Sequence, residues 1–513
     1  MKEKKRLLLS IGLVLILVLM IVGISYAAFK FTGTGKKENT ITTGAITMKY
    51  TESTNVINMT GALPTTDATG KVRLTEGEYF DFTLEGTIKG TENINWEIAA
   101  EDVTTGTKKI DGKYIKLYLT SLDENNNETE VMAPKVYSAD TTSDDYTGRP
   151  AGMMSLAKGS TSTSFSTKYR LRMYVDESYN PQGDGGNLVF SIKINAYGKT
   201  GDKMPEPTAA EVLVAKANAE SLDYNSATEE QKKEMWTFTH DATEQTTALT
   251  DYRYIGKNPN NYVQFNNELW RIIGVFDTDD GTGKVEKRLK IIRNESIGGY
   301  SWDYNSAGNF TNEWSTAQLN NLLNSGAYYN RTTGTYYDGS TTASNVDFTT
   351  TGLTEKAKTM IGNTKWYLGG TENYESGLVS HWYKYERGTA VYSGRSTSWT
   401  GKVGLMYPSD YGYATSGGTT TNRASCLAKE INNWNSDMVS DCKNNDWMYS
   451  GTMQWTITPN SNSTDYVYFI YVVGHVSTNS ANDALSERPV VHLNSAVKVI
   501  TGTGTKESPY ILE

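Results

Sequence analysis

The sequence predicts a mainly β, multidomain protein: an antiparallel β-sandwich, then a short helical connector, then an α+β unit. Three observations carry this. A chain of 513 residues exceeds what one hydrophobic core organises and asks for two to four domains. The composition, with 34 Tyr, 11 Trp and long stretches of Thr, favours pleated, half-buried surfaces. Period-two alternation recurs between residues 79 and 196, whereas helix-capping signals begin after residue 201. The same numbers exclude other classes. A hydrophobic fraction of 37% and a mean hydropathy of -0.52 rule out a polytopic membrane protein. The balance of 49 basic against 58 acidic residues, net -9, lacks the basic footprint of a nucleic-acid binder. Four His and two Cys leave little material for a metal centre or redox chemistry, so no metal and no cofactor is expected.

Residues 1–28 read as a signal peptide or signal anchor. Lys2, Lys4, Lys5 and Arg6 precede an uncharged run from Leu7 to Phe29. That run is long enough to span a bilayer, yet it ends in Ser25-Tyr26-Ala27-Ala28, small residues of the kind a signal peptidase reads. Both readings stand, cleavage at Ala27 or Ala28 and retention in the membrane. Either sends the remainder of the chain outward. Cleavage removes a net +3, so a mature chain would carry -12, a charge that favours solubility. Membrane contact is expected only through this segment.

Ser25-Tyr26-Ala27-Ala28-Phe29, followed by Asn39-Thr40-Ile41-Thr42-Thr43-Gly44-Ala45-Ile46, resembles the start of the TasA/camelysin class of exported Firmicute proteins. The resemblance covers about 30 residues. It implies a β-sandwich, handling by a dedicated signal peptidase, and in some members self-association into matrix fibres.

Residues 29–200 read as the sandwich. Phe80, Phe82 and Leu84 alternate inward, as do Ile115, Leu117 and Leu119, with Lys116 and its tyrosine neighbours outward. Tyr169–Val175 alternates with Arg170 and Arg172 toward solvent, and Phe190, Ile192, Ile194 and Ala196 close the series. Polar clusters such as Asp123-Glu124-Asn125-Asn126-Asn127 read as turns, since none has the ligand spacing of a calcium loop. Residues 201–250 read as the helical connector. Thr208-Ala209-Ala210-Glu211 and Ser226-Ala227-Thr228-Glu229 are capping boxes opening two short helices.

Residues 251–513 mix helix with strand. Asn261–Phe276 reads as a hairpin turning at Asn266-Asn267, with Leu289–Arg293 as the next strand after an Asp-rich turn. Helices are expected from Trp314 through Leu323 and over 354–361, with strands near 403–406, 467–473, 488–493 and 510–512. Leu269-Trp270-Arg271-Ile272-Ile273-Gly274-Val275, Met406-Tyr407-Pro408-Ser409-Asp410-Tyr411-Gly412-Tyr413-Ala414 and Arg488-Pro489-Val490-Val491-His492-Leu493 resemble an uncharacterised module of secreted Firmicute proteins. Its arrangement is similar to C-type-lectin-like and formylglycine-generating-enzyme-like folds. Likeness of fold does not supply a function.

Cys426 and Cys442 read as one disulfide in an exported chain. The rival reading makes one of them a nucleophile beside His381, His475 or His492. No nucleophile elbow, zincin motif or phosphate loop occurs, so no catalytic residue is assigned and the chain reads as a non-enzyme. Aromatic rings stack on sugars, and Trp382, Tyr383, Tyr385, Trp399, Tyr411 and Tyr413 are the candidate ligand-binding set. The competing role for the same residues is core filling in a loop-rich fold. The expectation is an exported cell-surface or extracellular-matrix protein that binds a carbohydrate or a surface protein. The alternatives are a fibre subunit assembling by strand addition and an enzyme built on the last module.

Overall fold

The computed structural model describes residues 28–32, 38–43, 46–52, 64–74, 79–88, 93–105, 109–179, 189–436 and 439–513. The protein is mainly β, 39% strand and 16% helix, with several separate sheets. The chain divides into two compact units, Met1–Pro205 and Glu206–Glu513. The apolar run up to and including the cleavage position Ala27 lies outside the described residues. Ala28 opens the first strand.

The described part of the first unit holds β1 (Ala28–Thr32), β2 (Glu38–Thr43), β3 (Ile46–Glu52), β4 (Tyr79–Ile88), β5 (Asn93–Asp102), β6 (Ile115–Leu122), β7 (Glu128–Val136), β8 (Met154–Thr161), β9 (Phe165–Val175) and β10 (Ile192–Gly201). Six of them form one sheet in the order β2-β3-β4-β9-β6-β7, and four form another, β1-β10-β5-β8. Phe80 pairs with Leu171 and Phe82 with Tyr169 across β4 and β9. The inward residues of both sheets share a single core: Phe82, Leu84, Leu117, Leu119, Leu171 and Met173 from one, Ile94, Ile98, Met154, Leu156, Ile194 and Ala196 from the other. Two sheets closed on one core make a sandwich.

The outer face of the larger sheet departs from expectation. Lys116 and Arg172 do not face solvent; both are buried. Residues 64–74 fold back over this face: the Thr65 N–H donates to the Val175 carbonyl at 3.0 Å, and Arg172 Nε donates to the Arg73 carbonyl at 2.7 Å. Under that cover Lys116 Nζ pairs with Asp67 at 2.9 Å and Asp176 at 2.6 Å. Arg172 grips both oxygens of Glu128 at 2.7 Å. Alternation assigns the two faces correctly but is silent about a segment that returns to cover one of them. The Asp123 cluster is a turn as expected, its Oδ1 accepting from the Asn125 and Asn127 N–H groups at 2.9 and 2.7 Å.

The expected helical connector does not form as a separate element. Thr208 and Glu211 do make the reciprocal capping box, opening the helix Ala209–Val214. The second cap uses Thr228 and Gln231 and yields only a three-residue turn, Gln231–Lys233. Met235–His240 then forms β11, pairing with β12 (Leu249–Tyr254). Because β12 pairs in turn with the long strand of the second unit, residues 206–250 belong to that unit. Burial of Met235 and Trp236 outweighs the local helical preference of the charged run before them.

In the second unit β13 (Tyr262–Phe265) and β14 (Glu268–Asp279) form the expected hairpin. Asn266 and Asn267 sit at φ 56° and 63°, the left-handed pair a tight hairpin turn demands. β15 (Val285–Arg293) follows β14, and the sheet extends through Val490–His492 and Val403–Gly404 on one side. On the other side Tyr510–Leu512 lies parallel to β13, and Val499–Thr501 pairs beyond it. Gly274 stands where β12 crosses β14; a Cβ there would meet the Tyr252 carbonyl oxygen at 2.0 Å. The helices Gln318–Asn324, Glu355–Met360, Val379–Glu386 and Pro408–Ala414 pack around this sheet. Trp270, Trp302, Trp314, Trp366, Trp382, Trp434 and Trp455 are fully buried.

Candidate functional site

The six candidate aromatics do not form a common binding face. Trp382 and Tyr411 are 0% exposed. Trp382 packs edge-on against Tyr468 at 4.7 Å, and the Tyr411 hydroxyl donates to the Gly474 carbonyl at 2.8 Å. Tyr413 is buried against Phe238 and His240. Tyr385 and Trp399 are half-buried, with Trp399 set against Trp314. The helices Val379–Glu386 and Pro408–Ala414 press these rings inward, where they fill a core that short elements cannot fill with aliphatics. Of the six, Tyr383 lines a cleft. Cys426 and Cys442 form a disulfide, so neither sulfur is available as a nucleophile.

What the helices bring together instead is a buried ionic cluster. Asp410, on Pro408–Ala414, accepts from Arg253 Nη1 at 3.0 Å, from the Tyr407 N–H at 2.9 Å and from Lys290 Nζ. Burial acts to raise the Asp410 carboxyl, but the charges of Lys290 and Arg253 outweigh it and hold the group ionised. Burial also lowers the Lys290 ammonium, against the pull of Asp410. Arg253 extends to Asp251 at 2.8 Å. His240 Nε2 lies 3.1 Å from Asp251 but off the line of a hydrogen bond. Burial keeps that imidazole below its usual range.

Glu386 and Arg387 complete the cluster. Glu386 accepts from the Ser409 N–H and hydroxyl at 2.8 and 2.5 Å and lies 3.2 Å from Arg387 Nη1. Burial raises its carboxyl to about 7 despite Arg387 and Ser409. The Arg387 guanidinium stands 3.7 Å from the centre of the Tyr383 ring, and the His240 ring stacks on Tyr383 at 3.8 Å. At those distances the two groups must occupy opposite faces of the phenol.

A cleft of about 30 Å³ opens beside this cluster, its wall including Thr278, Lys290, Thr364, Lys365, Tyr383, Arg387 and His492. It has room for a few waters or one small polar group. Arg387 Nε, Tyr383 Oη and Thr364 Oγ1 are all buried and make no hydrogen bond. A buried polar atom left unpaired costs about 1–3 kcal/mol, and native structures avoid the condition. These three atoms belong to residues that line one small cleft. The acidic wall residues already have partners: Asp251 has Arg253, Asp277 has Lys287 at 2.9 Å, and Asp279 caps the Gly281 and Gly283 N–H groups.

Sequence reasoning passed over Arg253, Lys290, Thr364, Glu386 and Arg387. Lys290 carried a signal, because it is a charge inside the apolar run Leu289–Ile292, and a buried charge must be paired. His492, one of the three histidines weighed as a partner for a cysteine, lines the cleft, and both cysteines are taken up in the disulfide. No family model matches the chain and no curated protein matches it, so the functional reading stands on this geometry and on the sequence.

Proposed function

We propose that the chain is an exported cell-surface or matrix protein whose second unit binds an extracellular carbohydrate or protein through the Thr364–Tyr383–Arg387 cleft. The observation that carries the binding role is that three residues lining that cleft each hold a buried polar atom without a hydrogen-bond partner. Its size admits a functional group rather than a whole sugar ring, so the ligand enters by its tip. The uncharged run behind a basic start supports export, and a disulfide is the bond of an oxidising compartment. The lectin-like resemblance of the second unit agrees with a binding role.

The test is an array of extracellular glycans and peptides probed with the full chain and with Thr364→Val, which removes one orphaned hydroxyl while keeping the side-chain shape. Loss of about 1 kcal/mol, a five-fold weakening, is expected for the hits. Undiminished binding by the variant, or an array without hits, overturns the reading. Fractionation of the producing cell checks export, which retention of the chain in the cytosol would disprove.

A second reading, assembly by strand addition, draws on β7 and β8, which stand at sheet edges among the described strands. Sedimentation over a wide concentration range tests it, since a strictly monomeric chain excludes assembly.

A further inference from the structure

We infer that the cleft recognises a hydroxy acid, its carboxylate taken by Arg387, Lys365 and Tyr383 and its hydroxyl by His492. This rests on the binding reading above and names the ligand class.

The donors come first. Arg387 Nε and Tyr383 Oη are buried without an acceptor. Lys365, half-buried on the wall, has no carboxylate partner among the described residues; its ammonium lies 5.4 Å from the Tyr367 ring. Arg387 Nη1 already donates to Glu386, but Arg387 Nε, the Lys365 ammonium and the Tyr383 phenol have no acceptor among the described residues; such donors suit an oxyanion, and a planar guanidinium suits a carboxylate. Of the neighbouring acids, Asp251 and Asp277 are paired with Arg253 and Lys287, and Asp279 accepts from the Gly281 and Gly283 N–H groups. Among the described residues Glu386 is the carboxyl paired with Arg387, and it also accepts from Ser409.

His492 supplies the complementary acceptor. The Thr278 hydroxyl lies 3.2 Å from the Phe276 carbonyl, which can only accept, so its proton goes there. Its oxygen then receives a proton from His492 Nδ1 at 3.1 Å. Burial, with the charge of Lys290, keeps the His492 imidazole neutral. With the proton on Nδ1, Nε2 carries a lone pair, and it has no hydrogen bond to the described residues. A simple carboxylate would leave that lone pair unused; a hydroxyl beside the carboxylate would satisfy it. A sugar acid at the end of a glycan and a free small hydroxy acid share this chemistry.

The experiment follows the Arg387 Nε–H resonance of the full chain, assigned by its loss in Arg387→Lys, during titration with acetate, glycolate, glucuronate and glucose. Glycolate is expected to bind at least three-fold tighter than acetate. The Lys365→Glu variant should weaken glycolate about ten-fold at unchanged thermal midpoint, and His492→Phe should abolish the preference over acetate. Glucuronate binding tighter than glycolate assigns the source to a glycan end; the reverse order assigns a free acid. Equal affinities for glycolate and acetate in the native chain, or a response to glucose alone, overturn the inference while leaving the binding reading in place. Glycan-array hits that move no Arg387 resonance also overturn it, whereas an array without hits removes the binding reading itself.

Discussion

Replacing Asp410 by Asn tests whether the ionic cluster holds the second unit together. Asparagine keeps the shape and the acceptor for the Tyr407 N–H but removes the charge that faces Lys290 and Arg253. At 3.0 Å and an effective dielectric near 20, the Arg253–Asp410 attraction alone is about 5 kcal/mol before desolvation is subtracted. Removing one partner of a buried pair costs about 3–5 kcal/mol, because Lys290, 2% exposed in its side chain, is left without a counter-ion. Arg253 retains Asp251, which sets the loss toward the lower end. The assay is denaturant unfolding followed by tryptophan emission. Trp96 is the only tryptophan outside the second unit, so emission reports mainly that unit. The double variant Asp410→Asn with Lys290→Met removes both charges, and its cost should fall below the sum of the single costs by about 2 kcal/mol. A loss under about 1 kcal/mol for Asp410→Asn, or strict additivity in the double variant, would refute the reasoning.

The other expectations concern pH, backbone and covalent structure. Glu386 keeps its proton to about 7 in the folded chain against a usual 4.5, so the unfolded chain releases it first and stability falls as pH rises from about 5 to 7. The fall is up to about 3 kcal/mol, and Glu386→Gln should remove it; identical pH profiles for the two proteins would count against this. Gly274→Ala should cost about 3 kcal/mol, since the added methyl meets a backbone oxygen that cannot move aside, and a circular-dichroism melt reads it. Cys426→Ser with Cys442→Ser should cost about 3 kcal/mol on the loop-entropy account, measured as a shift in the urea midpoint under non-reducing conditions.

Legibility differed by scale. Strands β4, β6 and β9 were readable because alternation with Phe, Leu and Ile is a local property, and the β13–β14 turn because Asn266-Asn267 favours positive φ. The connector was misread because Thr208 and Thr228 do cap helical turns, while the fate of Met235–His240 depends on β12, which lies beyond a loop. The burial of the candidate aromatics was hidden for a related reason. Trp382 and Tyr411 have the chemistry of a sugar platform, but exposure is decided by how two helices pack, which residue type does not encode. Lys290 and Asp410, 120 residues apart, meet only when the sheet and the Pro408–Ala414 helix are both in place.

The sheet of the second unit is bracketed by late sequence. Val490–His492 flanks β15, and Tyr510–Leu512 lies beside β13. A ribosome delivers β13, β14 and β15 long before either flanking strand. Until then the central hairpin has unsealed sides, and long-range pairing of this kind is slow to close. A fragment stopping before residue 490 would leave those sides of the hairpin unpaired and open to any passing strand.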